Sequence, residues 1–266
     1  HRDERAHQPL VSRLPPDGAL VGTIAVGTSG WSYQHWDQTF YPENLPKSRW
    51  FEHYLRQFPT VEVNYSFYRL PTAKTICRWH DQVPDRFRYA TKGSRLITHF
   101  RRLADCAGEL ETYLDRVTGL KAHLGAILWQ LPPDLERDVG RLESFLRLLP
   151  AGVRHAVEFR HPSWLHDRTF EVLGERRVAC VSISSQQMPR DFTMTADFVY
   201  ARFHGLTSGF AHDYNEAELQ PWADFLVKAA DDKDGYVYFN NDARAHAPKN
   251  ARRLIELLGE AAVEWP

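Results

Sequence analysis

Cysteine is scarce in this chain. The three cysteines, Cys77, Cys106 and Cys180, stand far apart, and none belongs to a Cys-X-X-Cys pair or a Cys/His cluster. This spacing excludes a disulfide-rich scaffold and a zinc-ribbon site. Widely spaced thiols are typical of proteins in a reducing compartment, so we expect a cytoplasmic location and packing roles for the three side chains.

Net charge, long apolar runs and familiar catalytic motifs are also missing. The formal net charge is -1 over 266 residues, which excludes a general polyanion binder while leaving room for a local basic cleft. No apolar run approaches the ~18 residues that a membrane span needs, so we expect no membrane partner. Neither a Walker phosphate loop nor a GxGxxG, HExxH or GxSxG motif is present, so none of the chemistries that these motifs define is indicated.

The beginning of the chain differs from the rest. Residues 1–20 are polar and include Pro15 and Pro16, and we expect them to form a flexible leader outside the fold. Residues 21–266 contain no low-complexity tract and no domain linker. Their number suits one large domain with a substantial core.

Strand and helix patterns alternate from residue 23 onward. Eight segments have strand character: 23–28, 60–64, 87–92, 127–130, 156–160, 178–183, 199–204 and 236–240. Between them, Pro71-Thr72 marks one helix start, and Asn215 with Glu218 forms the pattern of a capping box. Alternating β and α units imply a parallel sheet, and eight of them imply closure into a (β/α)8 TIM-type barrel. The competing architecture, an open doubly wound sheet, would not collect the polar strand ends around one mouth.

Polar residues close most of the predicted strands, at the rim where (β/α)8 barrels build their active sites. Side chains alternate faces along a strand, so three pairs each share a face: Glu62 with Asn64, Glu158 with Arg160, and Arg202 with His204. Three further strands close on Lys92, Gln130 and Asn240. Buried charges cost several kcal/mol unless they are paired or used, so we expect a functional site at this rim.

Three of these residues are candidates for catalysis. Two carboxylates in one enclosed mouth can separate their pKa values and act as acid and base or bind a metal, which favours Glu62 and Glu158. His204 is a candidate proton shuttle. The alternative is structural: neighbouring arginines and Lys92 would neutralise the glutamates, and His204 would fix its loop.

The other candidates would bind the ligand. Lys92, Arg160 and Arg202 outnumber the two glutamates at the predicted mouth, which indicates an anionic ligand. Trp31 is predicted to stack on a sugar or a base, and Tyr214 to close over the ligand from a glycine-rich loop. Packing of both rings within their own loops is the alternative. Amide groups that suit sugar hydroxyls or phosphate oxygens come from Asn64, Gln130 and Asn240.

Several strings of this sequence are long enough to be specific. They are 27–33 (GTSGWSY), 61–64 (VEVN), 67–71 (FYRLP), 128–133 (LWQLPP), 158–160 (EFR) and 239–242 (FNND). Together they resemble the YecE-like family, catalogued as domain of unknown function 72. The resemblance implies a TIM-type barrel and no particular reaction. Members usually carry an aspartate after strand six, where this chain has Ser184; a serine could not replace that aspartate as a ligand or an acid.

Three functional hypotheses remain open. The first is an enzyme, metal-independent or weakly assisted by a divalent metal, that acts on a phosphorylated or otherwise anionic sugar or nucleotide derivative by carboxylate acid/base chemistry, with no cofactor predicted. The second is a divalent-metal-dependent phosphodiesterase or endonuclease, for which Glu62, Glu158 and His204 supply few ligands. The third is a non-catalytic module that binds nucleic acid or a regulatory ligand in the basic mouth.

Overall fold

The strands form one parallel barrel. The computed structural model describes residues 22–266, so the predicted leader, residues 1–20, lies outside the described residues. Neighbouring strands pair in the order β6-β5-β4-β3-β2-β1-β9-β8-β7, and every pair is parallel. The strands are β1 (Ile24–Ser29), β2 (Thr60–Val63), β3 (Arg88–Lys92), β4 (Leu124–Gln130), β5 (His155–Glu158), β6 (Ala179–Cys180), β7 (Ser182–Ser185), β8 (Phe198–Gly205) and β9 (Asp234–Phe239).

The barrel closes through a divided strand. β6 and β7 follow one another with only Val181 between them; β6 pairs with β5, and β7 pairs with β8. Together they act as the sixth of eight barrel strands, which confirms the predicted (β/α)8 TIM-type fold. The predicted sixth strand, 178–183, is therefore split in two and extends to Ser185.

Helices connect successive strands at most positions. They are α1 (Trp50–Leu55), α2 (Tyr65–Tyr68), α3 (Ala73–Asp81), α4 (Ala107–Val117), α5 (Val139–Leu146), α6 (Asp167–Glu175), α7 (Glu216–Ala229) and α8 (His246–Leu258). Short 3-10 turns cover Gln34–Trp36, Lys47–Arg49, Thr118–His123, Pro162–Trp164, Gly209–Ala211 and Gly259–Ala261, and Leu96–Phe100 is a π-helical turn. Both predicted helix starts are confirmed, because Thr72 caps α3 and Asn215 forms a capping box with Glu218 on α7.

One connection departs from the regular pattern. Within residues 22–266, no helix lies between β7 and β8. Residues 186–197 return to the start of β8 as a segment without regular secondary structure, and Thr195 attaches it to β6. The Thr195 hydroxyl accepts from the Cys180 N–H at 2.8 Å and donates to the Val178 carbonyl at 2.6 Å. These bonds satisfy backbone groups at the start of the divided strand.

Small residues on one side of the barrel interior face large ones on the other. Tyr200 of β8 and Tyr238 of β9 are both fully buried and fill the space inside the barrel. The inward positions of β3, β4, β5 and β6 carry Ala90, Ala126, Ala156 and Ala179. The interior below the mouth is therefore a packed core, as in other barrels of this type, and the polar side chains lie in the layer above it.

Two hydrophobic clusters lie between the strands and the helices. One joins β1, β8 and β9 to α1, α7 and α8 and includes Tyr54 and Trp222. The other joins β4 and β5 to α4, α5 and α6, with Trp129 packed against Phe145 at 5.2 Å between ring centroids. Full burial of side chains of this kind contributes about 1.5–3 kcal/mol each, so both clusters hold the strand ends in place.

Candidate functional site

An arginine that bridges two glutamates occupies the centre of the mouth. Nη1 of Arg202 donates to Oε2 of Glu158 at 2.7 Å, and Nη2 donates to Oε1 of Glu62 at 2.7 Å. None of the three side chains is more than 1% exposed. β2, β5 and β8 each present an inward position at the same height, which brings together three residues distant in sequence. The predicted meeting of Glu62, Glu158 and Arg202 is thus observed.

Both carboxylates receive further hydrogen bonds. The Ser29 hydroxyl donates to Oε1 of Glu62 at 2.7 Å, and the Tyr200 hydroxyl donates to Oε2 at 2.6 Å. Oε1 of Glu158 accepts from Gln130 Nε2 at 2.7 Å and from Arg160 Nη1 at 3.0 Å. A buried carboxylate is stable only with such partners, and here every carboxylate oxygen has at least one.

The Glu158 carboxyl stays ionised. Burial alone would raise its pKa, but Arg202, His204 and Arg160 outweigh burial and hold the pKa well below its usual value. A carboxyl of this kind is a poor proton donor at neutral pH. The geometry favours Glu158 as a fixed anion that orients its neighbours, while its predicted role as a general base is left to experiment.

His204 lies between the same carboxylate and an amide. Its Nε2 is within 3.2–3.3 Å of both oxygens of Glu158, and Nδ1 is 3.1 Å from Nδ2 of Asn240. The amide N–H donates to Nδ1, which leaves the ring hydrogen on Nε2 facing Glu158. Burial lowers the pKa of His204, so the ring is neutral at physiological pH. His204 can therefore hold or pass a proton at Nε2.

Lys92 is the cation that the site leaves without a partner. Within residues 22–266 its ammonium makes no ion pair and no side-chain hydrogen bond, and the residue is only 9% exposed. Nζ lies 4.1 Å from the centre of the Phe67 ring. Burial, reinforced by the positive charge of Arg202, lowers the pKa of Lys92 to about 8. The lysine is thus held ready for a negative group that enters from outside.

Two side chains that are predicted to contact the ligand, Tyr214 and Trp31, pack against residues outside the charged cluster. The Tyr214 hydroxyl is within 2.8 Å of Ser184 Oγ and accepts from the Gly205 N–H at 2.9 Å, and its ring is buried against Phe203. Trp31 packs on Phe51 of α1 at 4.5 Å between ring centroids. Because Ser184 pairs with Tyr214 on this outer side, its side chain does not join the charged cluster. The ligand contacts of Trp31 and Tyr214 stay predictions.

Several residues that the sequence did not single out belong to the site. Ser29 and Tyr200 bind Glu62, and the Tyr33 hydroxyl donates to the Ser29 carbonyl at 2.6 Å. Strand alternation gives a signal for Tyr200, which is two residues before Arg202 on the same face. Predicted Asn64 lies at the mouth, and its Oδ1 is buried without a hydrogen-bond partner in the described part of the chain. Such an atom normally binds water or a ligand.

A third carboxylate, Asp242, anchors the loop after β1. Asp242 accepts from Nε1 of Trp36 and lies 3.0 Å from Nε2 of His35. Burial raises the pKa of Asp242 to about 6, against the lowering effect of these two partners. This contact ties the first loop to the segment after β9, on the same rim as the charged cluster.

Neither a metal cluster nor a membrane span is apparent in the described chain. From residue 22 to residue 266, no group of three or more His, Cys, Asp or Glu side chains could hold a metal ion. Glu62 and Glu158 are already bound by Arg202, which a divalent cation would have to displace. No helix in this part of the chain is both long and apolar enough to cross a membrane. The divalent-metal alternative stays an untested prediction.

Removing the charge of Glu158 should destabilise the folded protein. Glu158→Gln leaves two arginines with fewer negative partners, and breaking a buried pair of this kind costs about 3–5 kcal/mol at pH 7. The folded-state pKa of Glu158 is depressed, so its stabilising effect is complete above the unfolded value of 4.5 and decreases as the pH falls below it. Urea unfolding at pH 7 and below pH 4 measures this difference.

The matched control is Glu171→Gln, which removes an exposed glutamate paired with Arg168. We expect a change of less than about 1 kcal/mol there. Equal stability of Glu158→Gln and the unaltered protein at pH 7 would contradict the account.

Comparison with known proteins gives a consistent family assignment. A family model described as "Protein of unknown function DUF72" matches residues 25–265. The UPF0759 protein YecE of Escherichia coli (strain K12) is 31% identical over 267 residues, spanning 91% of this chain and 94% of YecE. The UPF0759 protein YunF of Bacillus subtilis (strain 168) is 23% identical over 273 residues, spanning 88% of this chain and 94% of YunF.

Solved structures agree with this assignment. A DUF72 family protein from Thermotoga maritima MSB8 superposes with a TM-score of 0.81 at 27% identity, over 89% of this chain and 99% of that one. A DUF72 family protein from Enterococcus faecalis V583 superposes with a TM-score of 0.77 at 20% identity, over 89% and 95%, and supports the fold alone. Because the family model matches residues 25–265, most of the chain, the chain belongs to the DUF72 family.

Proposed function

We propose that the protein is an enzyme that binds a small anionic molecule, phosphorylated or carrying a carboxylate, in the mouth of the barrel. The observation that carries this proposal is Lys92, a residue only 9% exposed whose ammonium makes no ion pair and no hydrogen bond within the described part of the chain. Burying an unpaired charge is costly, and strongly perturbed groups of this kind cluster at functional sites. An anionic ligand would supply the missing negative charge.

Arg160 would give the anion a second partner. Its side chain is 21% exposed, and only Nη1 is engaged, by Glu158. The guanidinium has five N–H donors in a planar fork, so its remaining donors can bind a phosphate or carboxylate in a bidentate manner. Burial is the main cause of the low pKa of Lys92, and the positive charge of Arg160 adds to it.

The side of the mouth that contains Lys92 also includes His99, from the turn after β3. His99 lies on the π-helical turn and packs edge-on against Phe67, the ring that also contacts Lys92. Burial and the charge of Lys92 lower the pKa of His99, so a neutral imidazole faces the site at neutral pH. Such a group can donate to or accept from a ligand without adding charge.

Lys92 and His204 would transfer protons. The pKa of Lys92 is about 8, close to the operating pH that suits a general acid or base. His204 is neutral and carries its hydrogen toward Glu158. Glu62 and Glu158 would keep Arg202 and His204 in position instead of exchanging protons with the substrate. The acid/base chemistry predicted for the glutamates is therefore proposed for their neighbours.

The test of this proposal is Arg160→Met. We expect inorganic phosphate and phosphorylated sugars to raise the melting temperature of the unaltered protein and to bind Arg160→Met about 10- to 100-fold more weakly, because a charged hydrogen bond contributes about 1.5–3 kcal/mol. The control is Arg101→Met, which removes an exposed arginine paired with Glu109 after the same strand as Lys92. Equal affinities for all three proteins would contradict the proposal.

A second candidate is binding of single-stranded nucleic acid, and exposed aromatic side chains on three rim loops favour it. They are Tyr65, Tyr68, Phe100 and Phe210, each at least 47% exposed. Rings of this kind stack on bases at about 1–3 kcal/mol per base. An oligonucleotide affinity well above that of a nucleoside monophosphate, decreasing steeply with salt, would support this candidate over the first.

A further inference from the structure

We propose that Lys92 is a nucleophile that forms an imine with the carbonyl group of the ligand, and that the ligand is therefore an anionic aldehyde or ketone. This inference rests on the proposed function, because the same mouth must first hold the anionic group. It adds a reaction type and a substrate class to that site.

The position of Lys92 suits attack on a bound carbonyl. The residue ends β3, and its backbone carbonyl accepts from the Ser66 hydroxyl at 2.7 Å and from the Tyr113 hydroxyl at 3.0 Å. The side chain therefore starts from a fixed point. Nζ lies over the Phe67 ring at 4.1 Å and makes no hydrogen bond within the described residues. The amine can therefore attack a carbonyl carbon without first breaking a hydrogen bond to the protein.

The surroundings keep a fraction of this amine neutral near physiological pH. Charged groups reach it from several strands: Arg202 of β8, Glu62 of β2, Glu158 of β5 and Arg160 just after β5. Burial and the two arginines outweigh the two glutamates and hold the pKa of Lys92 at about 8. Only the neutral amine is a nucleophile, and desolvation beside another cation is a known way to activate a lysine.

The proposed step conserves atoms and charge. The ammonium releases a proton to solvent, and the nitrogen lone pair forms a bond to the carbonyl carbon while one of the two remaining N–H protons moves to the carbonyl oxygen. The hydroxyl of the resulting carbinolamine takes up a proton from solvent and leaves as water, and the nitrogen retains one hydrogen as a protonated imine. One water molecule leaves and no electrons are exchanged, so no oxidant or reductant is needed.

The mouth can hold this product as well as the free lysine. The protonated imine keeps one positive charge at Nζ, so the balance with Glu62 and Glu158 is unchanged. Arg160 stays free to bind the phosphate or carboxylate of the same ligand. The Phe67 ring shields one side of the nitrogen from water, which would slow hydrolysis of the imine.

Reductive trapping tests the proposal. The protein would be incubated at pH 7.5 with glyoxylate or glyceraldehyde 3-phosphate and sodium cyanoborohydride, and then mapped by peptide mass spectrometry. A trapped site gains the mass of the probe less one oxygen atom. We expect Lys92 to be labelled about 10- to 100-fold faster than exposed lysines such as Lys74 and Lys228, because more of its amine is neutral at this pH. Inorganic phosphate should protect Lys92 and leave the exposed lysines unaffected.

The outcomes separate this inference from the function on which it rests. Labelling of Lys92 no faster than that of Lys74, while phosphate still raises the melting temperature, would overturn the imine and leave the anion site intact. Lys92 could instead be labelled rapidly while phosphate neither slows the labelling nor raises the melting temperature. That outcome would support the nucleophile and contradict the anion site. Lys92→Arg, which keeps a cation but cannot form an imine, should bind phosphate and remain unlabelled at this position.

Discussion

Replacing Arg202 with methionine should destabilise the protein by about 3–5 kcal/mol, because it leaves two buried carboxylates without their shared partner. Among residues 22–266, Arg202 is the one residue that forms hydrogen bonds to both Glu62 and Glu158, through two contacts of 2.7 Å. Methionine fills much of the space but leaves two buried carboxylates facing each other. Urea unfolding monitored by circular dichroism measures the loss.

Two controls identify the cause of that loss. Arg168→Met removes an exposed arginine that pairs with three surface glutamates, and it should cost less than about 1 kcal/mol. In a Glu62→Gln/Glu158→Gln background, Arg202→Met should cost clearly less than it does alone, because the unpaired negative charges are gone. An equal cost in both backgrounds would show that packing and not charge makes Arg202 important.

Lys92→Met should have the opposite effect on stability, with a gain of about 2–3 kcal/mol at pH 7. The folded-state pKa of about 8, against 10.5 in the unfolded chain, corresponds to about 3 kcal/mol of destabilisation. The contact with Phe67 offsets about 1 kcal/mol of this. The same variant should lose affinity for phosphate, so a group that weakens the fold would be retained for function.

The pH dependence of the Lys92→Met gain has a definite sign. Below pH 8 the lysine is protonated in both the folded and the unfolded chain, and the full destabilisation is present. Between pH 8 and 10.5 only the unfolded chain holds the proton, so the free energy of unfolding of the unaltered protein rises with pH. The advantage of Lys92→Met should therefore shrink across this window. A variant less stable than the unaltered protein at pH 7 would show that Lys92 has an internal partner.

Strand alternation was sufficient to predict the centre of the site. Glu62, Glu158 and Arg202 each lie at an inward position near the end of a strand, and parallel strands of a barrel bring those ends to one rim. The position of each residue along its strand can be read from a short apolar pattern. The meeting of the three side chains therefore follows from the sequence once the barrel is assumed.

The pairing within the rim could not be predicted in the same way. Arg160, Arg202 and Lys92 were equivalent cations in the sequence, and only their heights in the barrel decide which of them reaches the carboxylates. Arg202 takes both glutamates, and Lys92 is left without an ion pair in the described chain. Tyr214 follows a glycine-rich loop that is typical of a lid. Its ring packs against Phe203 and its hydroxyl contacts Ser184, and these contacts could not be predicted from the loop sequence.

Anomalous diffraction from crystals soaked in selenate would test the anion site most directly. Selenate has the shape and charge of a phosphate analogue, and its selenium atom gives a peak that locates it without ambiguity. We expect a peak within hydrogen-bonding reach of both Lys92 Nζ and the Arg160 guanidinium, about 2.7–3.2 Å from donor to oxygen, and its loss in Lys92→Met crystals. Peaks confined to exposed basic side chains, or a mouth peak that persists in Lys92→Met, would contradict the account.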